Sequence, residues 1–148
     1  MNESSVILAC SACNAKNRIP LTRLDDAPIC GKCQTPLPVD DLSRPVDVSD
    51  QNFDQVVLAS PIPVMVDCWA PWCGPCRSIS PMMVSLARKY RARIKIAKLN
   101  LDENTMIGSR YSITSVPTFL LIQNGRIVDK LVGALPKEHL EAAVERIL

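Results

Sequence analysis

The sequence predicts an α/β protein, a mixed sheet flanked by helices, preceded by a small cysteine-rich module. Three observations carry this. From about residue 46 onward, strand-like and helix-like segments alternate and finish in a hairpin and a helix, as a mixed sheet covered on both faces requires. Residues 1–45 instead show little periodicity and hold two Cys-x-x-Cys pairs. A third pair, Cys73-Gly-Pro-Cys76, lies between an apolar segment and a helical pattern.

Composition narrows the class further. The 148 residues are 47% apolar and 22% charged, as in a globular protein with room for one ordinary domain and a smaller one. We expect residues 1–45 to form the module with its linker, and residues 46–148 the main domain. Formal net charge is +2. Five basic residues in the module (Lys16, Arg18, Arg23, Lys32, Arg44) are matched by five acidic ones, so no nucleic-acid partner is expected. The longest apolar run, 62–69, is broken by Pro63 and Asp67 and is too short to cross a bilayer. The opening residues, MNESSVILACSAC, read as no export signal. A cytoplasmic protein is therefore expected, its seven cysteines serving metal or catalysis rather than structural bridges; a monomer is the expected state.

In the module, 16 residues separate Cys10-Ser-Ala-Cys13 from Cys30-Gly-Lys-Cys33. That spacing lets two tight turns present four thiolates around one Zn²⁺. Four sulfur ligands leave no position for a reactive water, so the ion is expected to be structural and to supply folding free energy. Gly31 is expected to ease the second turn. A disulfide-stapled segment and a nucleic-acid-binding ribbon are the alternatives. Residues 34–45 (QTPLPVDDLSRP) read as a semi-extended linker.

In the main domain, Ser49 or Asp50 is expected to cap a helix with Phe53, Val56 and Val57 on its apolar face. Residues 63–70 (PVMVDCWA) read as a strand, followed by a helix with Ile79, Met82, Met83, Leu86 and Tyr90 on one face. Residues 94–101 (IKIAKLNL) read as a second strand, and Met106, Ile107, Arg110 and Tyr111 as a shorter helical piece. Asn124-Gly125 suits the φ > 0 turn of a hairpin between Thr118–Gln123 and Arg126–Val132. Pro136 opens a last helix with Leu140, Ala143, Val144, Ile147 and Leu148 at helical spacing.

The chemistry is concentrated at residues 72–76. A thiol at a helix N-terminus faces unpaired backbone N–H groups and the positive end of the helix dipole, which favour thiolate. An ordinary cysteine, with a pKa of about 8.5, is only a few per cent thiolate at neutral pH, so a drop of one unit multiplies the reactive fraction several-fold. Cys73 is thus the candidate nucleophile and Cys76 the candidate resolving thiol. Half of a metal site is the alternative reading; Pro75, which removes a backbone donor, weighs against it.

With these residues placed, 46–148 resembles the thioredoxin family through VDCWAPWCGPC, Pro81, AKLNLD, SVPTFLL, QNGR and VGALP. The double Cys-x-x-Cys ahead of it resembles the zinc-containing bacterial thioredoxin 2 subgroup. The resemblance implies the thioredoxin fold, protein-disulfide reductase activity on disulfide-containing clients, and re-reduction by NADPH-dependent thioredoxin reductase. It implies that Cys73 attacks the client and Cys76 resolves the mixed disulfide, while Gly74 and Pro75 tune redox poise. Asp67 matches a buried acid whose raised pKa would let it accept the Cys76 proton, through water. Lys98 matches the lysine near that acid, or is a solvated strand residue. Val116-Pro117 matches a cis-proline loop facing the cysteines, where Val116 would pair with an extended client segment. Trp72, Gly133 and Ala134 would form its rim.

Rival readings are a scaffold or chaperone that docks clients on its ribbon, and a disulfide isomerase or oxidant. No glycine-rich phosphate loop is present, so no directly bound nucleotide or flavin is expected. Cys68 stands where the family commonly has phenylalanine, and is expected to be a small, buried, inert residue. His139 is expected on the surface, and Met82 and Met83 in packing.

Overall fold

The computed structural model describes residues 5–148, apart from the side chains of Asp40 and Asp41. Its strands are β1 (Ser5–Ala9), β2 (Lys16–Pro20), β3 (Val46–Val48), β4 (Val64–Trp69), β5 (Lys95–Asn100), β6 (Thr118–Gln123) and β7 (Arg126–Val132). Its helices are α1 (Gly74–Lys89), α2 (Thr105–Arg110) and α3 (Lys137–Glu145). The main sheet runs β3-β5-β4-β6-β7, with β3, β5 and β4 parallel and the β6–β7 hairpin antiparallel. This is the mixed α/β architecture expected.

Strand β4 lies at the centre, its first five residues buried. Covered on both faces, it reads as an apolar run without alternation. On one face Met65, Ile96, Phe119 and Leu121 pack against Met83 and Leu86 of α1 and Leu140 and Val144 of α3. On the other, Val64, Val66, Cys68, Leu99 and Leu120 pack against Phe53, Val57 and Ile107. The hairpin turn has Asn124 and Gly125 at φ 54° and 77°, both left-handed as the turn demands. Within α1, Pro81 leaves the Arg77 carbonyl without its usual intrahelical donor.

Four local expectations are corrected. Residues 49–58 form a turn and a short π-helical stretch, Asp54–Leu58, rather than a capped α-helix. Neither the Ser49 nor the Asp50 side chain caps it: no side-chain cap bond is made at its start, and the Asp50 carboxylate is engaged at α2. Ile147 and Leu148 both lie beyond α3, Ile147 still buried and Leu148 half exposed. The module has more regular structure than its periodicity suggests, because β1 and β2 pair as an antiparallel hairpin. Residues 34–45 are not an open linker. Leu37 and Leu42 are buried in the module's own core with Val6, Leu8, Ile19 and Leu24.

That core also takes in Ala92 and Ile62 from the main domain. At the seam, Ala92 N–H donates to the Leu42 carbonyl at 3.4 Å, and the Arg91 guanidinium meets the Asp25 carboxylate at 2.6 Å. The module therefore packs on the loop that follows α1.

Candidate redox centre and four-cysteine site

Strand β4 ends at Trp69 and α1 begins at Gly74, so the intervening loop delivers Cys73 to the N-terminus of the helix. Cys73 is the cap residue: its backbone is extended (φ −89°, ψ 108°), and its Sγ accepts the Cys76 N–H at 3.1 Å. Pro75 falls in the first turn, where a missing N–H costs nothing. Cys73 and Cys76 are joined in a disulfide, with Cα atoms 5.3 Å apart. In this oxidised ring Cys73 is 4% and Cys76 3% exposed. Exposure therefore does not distinguish them. What does is the position of Cys73 Sγ at the helix terminus, where an amide and the dipole act on it.

Around the ring, Trp69 and Val116 pack against Ala70, Cys73 and Cys76. The Val116-Pro117 peptide bond is cis. Gly133 donates its N–H to the Pro117 carbonyl at 2.9 Å, with φ +101°, a backbone state that side chains disfavour. Its glycine identity is thus a conformational requirement of this loop pairing. Trp72 is 69% exposed, and its Nε1 donates to Asp102 at 3.3 Å. Gly74 and Ala134 are exposed, and space is open where a Gly74 side chain would stand.

Asp67 is fully buried, and neither carboxyl oxygen has a hydrogen-bond partner among the described residues. Loss of water raises its pKa from 3.8 to about 6, against the opposing pull of Lys98. Lys98 faces Asp67 directly across the parallel β4–β5 register. Its Nζ lies 5.0 Å from the Trp69 ring centroid and donates to Ser80 Oγ at 3.3 Å. Lys98 is half-buried, at the edge of a polar cleft. Cys68 is buried among aliphatic side chains on the opposite face, where burial first and then the Asp67 charge push its thiol well above the ordinary range. His139 is exposed, Met83 is buried, and Met82 packs at the edge of the core.

The second centre is in the module. The Sγ atoms of Cys10, Cys13, Cys30 and Cys33 lie within 4.8 Å of one another. Cys10–Cys33 and Cys13–Cys30 are 3.5 and 3.6 Å apart. Tetrahedral zinc with Zn–S of about 2.3 Å spaces its sulfurs by about 3.8 Å, so the donor set fits.

The two turns have matching geometry. Asn14 N–H returns to the Cys10 carbonyl and Gln34 N–H to the Cys30 carbonyl, both at 2.9 Å. Asn14 and Gln34 have φ 64° and 65°. Ala12 and Lys32 N–H groups each donate to a sulfur at 3.3 Å. The left-handed residue therefore follows each pair, and Gly31 is not needed for it. A Gly31 Cβ would make only ordinary contact, 3.8 Å from Asn17 Oδ1. Asn17 instead braces the site, accepting the Gly31 N–H at 2.9 Å and donating to Cys30 Sγ at 3.5 Å. The Cys33 backbone amide first, and then Asn17 and Lys32, hold the Cys30 thiol below its ordinary range.

Sequence reasoning missed the parts played by Ser80 and Asn17. Ser80 follows Cys76 by one helical turn, which puts both on the same side of α1.

Two family models match. That of thioredoxin covers residues 44–146, and that described as the thioredoxin 2 N-terminal region covers residues 9–35. The chain belongs to the thioredoxin family. It is 45% identical over 107 residues to Thioredoxin 1 of Nostoc sp., covering 72% of this chain and all of that one. It is 44% identical, with the same coverage, to a thioredoxin of Synechocystis sp.. Against a thioredoxin of Haemophilus influenzae it is 43% identical over 99 residues, 67% of this chain and 92% of that one. Thioredoxins are thiol-disulfide oxidoreductases, and disulfide-reductase function fits a cysteine pair at bonding distance on a helix terminus. The N-terminal match coincides with the four clustered thiols, which suit zinc. No helix among the described residues is long and apolar enough to cross a membrane.

Proposed function

We propose that the protein reduces disulfides in client proteins with Cys73 as nucleophile and Cys76 as resolving thiol. The observation that carries this is the Cys73–Cys76 ring at the N-terminus of α1, with Val116 packed against it. The Cys73 thiolate attacks one sulfur of the client disulfide, forming a mixed disulfide and releasing the other as thiolate. Cys76, deprotonated by Asp67 through water, then attacks Cys73 Sγ. The ring closes, the second client sulfur leaves, and two electrons have passed to the client.

Gly74 and Pro75 set the redox poise. Trp72, Val116, Pro117 and Gly133 form the surface on which an extended client segment lies, pairing with the backbone of Val116. Thioredoxin reductase returns the electrons from NADPH, and the setting is the cytoplasm. Residues 46–148 are the catalytic domain. Residues 1–45 form a module in which Cys10, Cys13, Cys30 and Cys33 hold one structural Zn²⁺, whose four sulfur ligands leave it no catalytic position.

The test is insulin reduction driven by NADPH and thioredoxin reductase. Turnover is expected in the wild type and its loss in Cys73→Ser, while Cys76→Ser should accumulate a mixed disulfide. A wild type without turnover would overturn the reading. Native mass spectrometry of reduced protein should find one zinc, lost in Cys10→Ser.

A further inference from the structure

We propose that Ser80 is a positioning residue for this reaction: its hydroxyl tethers the Lys98 ammonium on the Asp67 side of β5, and so governs how readily Asp67 exchanges a proton. The proposal rests on the reading of Asp67 as the base for Cys76.

The geometry begins with the pleat. Met65 and Ile96 belong to the core beneath α1 and α3, and Asp67 and Lys98 follow each by two residues, so they share that face. Ser80 comes down on the same face from α1, half-buried, with Oγ 3.3 Å from Lys98 Nζ. The Trp69 ring supports the ammonium from another side, at 5.0 Å. The stem of Lys98 alone would not hold its head in one place, since a lysine side chain has several free rotors.

The alternative position for that head is open to water. A polar cleft of about 440 Å³ beside Lys98 is lined by Asp47, Ser49, Gln51, Asn52 and Glu103. Asp47, exposed on edge strand β3, lies across from Lys98 in the β3–β5 register. Lys98 thus stands between a buried carboxyl on β4 and an exposed carboxylate on β3. Released from Ser80, the ammonium moves toward Asp47 and water, away from Asp67.

Among the described residues, the other neighbours of Asp67 bring no competing charge. Across β6 its partner is Phe119, and on β4 Cys68 points to the opposite face with Lys130 acting on it. On α1, Cys73 and Cys76 are bonded to one another, and the Arg77 guanidinium is turned outward to the Pro71 carbonyl. Lys98 is the cation that acts on Asp67, opposing its burial. Moving a cation away from a buried carboxyl makes the carboxyl harder to ionise.

The experiment is a ¹³C NMR titration of the Asp67 carboxyl in the oxidised protein, in wild type, Ser80→Ala, Ser80→Thr, Lys98→Gln and the Ser80→Ala/Lys98→Gln pair. Ser80→Ala is expected to move the midpoint upward by about half a pH unit. Ser80→Thr, which keeps the hydroxyl, should return it to wild type. On the Lys98→Gln background, Ser80→Ala should add nothing. A Ser80→Ala midpoint equal to wild type would overturn the proposal, as would an equal shift without Lys98. The readout needs no turnover, so an inactive wild type in the insulin assay would defeat the Asp67 base assignment while leaving the tether separately measured.

Discussion

Asp50 caps a helix that starts more than fifty residues later: its carboxylate accepts the N–H of Ile107 at 2.9 Å and of Met106 at 3.2 Å. The link is reciprocal, since Asn104 Oδ1 accepts the Asp50 N–H at 2.8 Å. Two amides of the first turn of α2 are satisfied, and Ile107 is thereby set into the core under β4. Asp50→Ala should cost about 1–2 kcal/mol, read as a lowered urea midpoint at unchanged slope. Asp50→Asn keeps an acceptor and should lose less. Equal midpoints for wild type and Asp50→Ala would remove the cap from the account.

This pairing also marks where sequence reading stops. Asp50 followed by Phe53, Val56 and Val57 looks like a local cap and helix, because short-range pattern cannot see a distant amide competing for the same carboxylate. Strand β1, SVILA, has Val6 and Leu8 inward and Ile7 outward, so apolar residues on both faces hid its period of two. The cysteine pairs were legible because their residue types and spacing are the chemistry itself, whereas Asp67 and Val116-Pro117 could be singled out only through the resemblance to a family, since a lone acid in an apolar strand or a Val-Pro dipeptide does not declare its role. Ser80 and Asn17 were not legible, because a hydroxyl or an amide acquires its role only from the side chain that folding brings to it.

Cys68 should behave as a buried apolar residue rather than a third redox thiol. It has no exposed surface, and burial holds its thiol far from ionisation at neutral pH. Iodoacetamide added to the native, reduced protein should therefore modify Cys73 and leave Cys68 free until urea is added. Peptide mapping would show it, and native labelling of Cys68 would contradict the packing. Cys68→Phe should overfill the site between Val66 and Leu99 and cost about 1–3 kcal/mol.

Gly133 should resist substitution for a reason unrelated to space. Among the described residues, none beyond its chain neighbours comes within 4 Å of where its Cβ would stand, so Gly133→Ala meets no clash. Its φ of +101° is the obstacle, costing about 1–3 kcal/mol for an L side chain or forcing the loop to shift. A shift would break the 2.9 Å bond to the Pro117 carbonyl beside the redox ring. Gly133→Ala should thus raise the insulin KM as well as lower stability. A stable variant with unchanged KM would show that the bond does not position the loop.

Asp67 should make stability depend on pH in the direction opposite to most carboxylates. Its native pKa, raised to about 6, lies above its ordinary 3.8. Below about pH 4 both folded and unfolded chains hold the proton, and burial has no charge to penalise. As pH rises, the unfolded chain releases its proton first, so stability falls until the native carboxyl also ionises. The two-unit gap corresponds to about 3 kcal/mol, lost between about pH 4 and somewhat above pH 6. Asp67→Asn carries no such charge, so its stability relative to wild type should climb by about that amount over this range, in oxidised protein unfolded with urea. A difference that stays flat with pH would mean that the carboxyl is solvated in the native state, and the proton acceptor for Cys76 would have to be sought elsewhere.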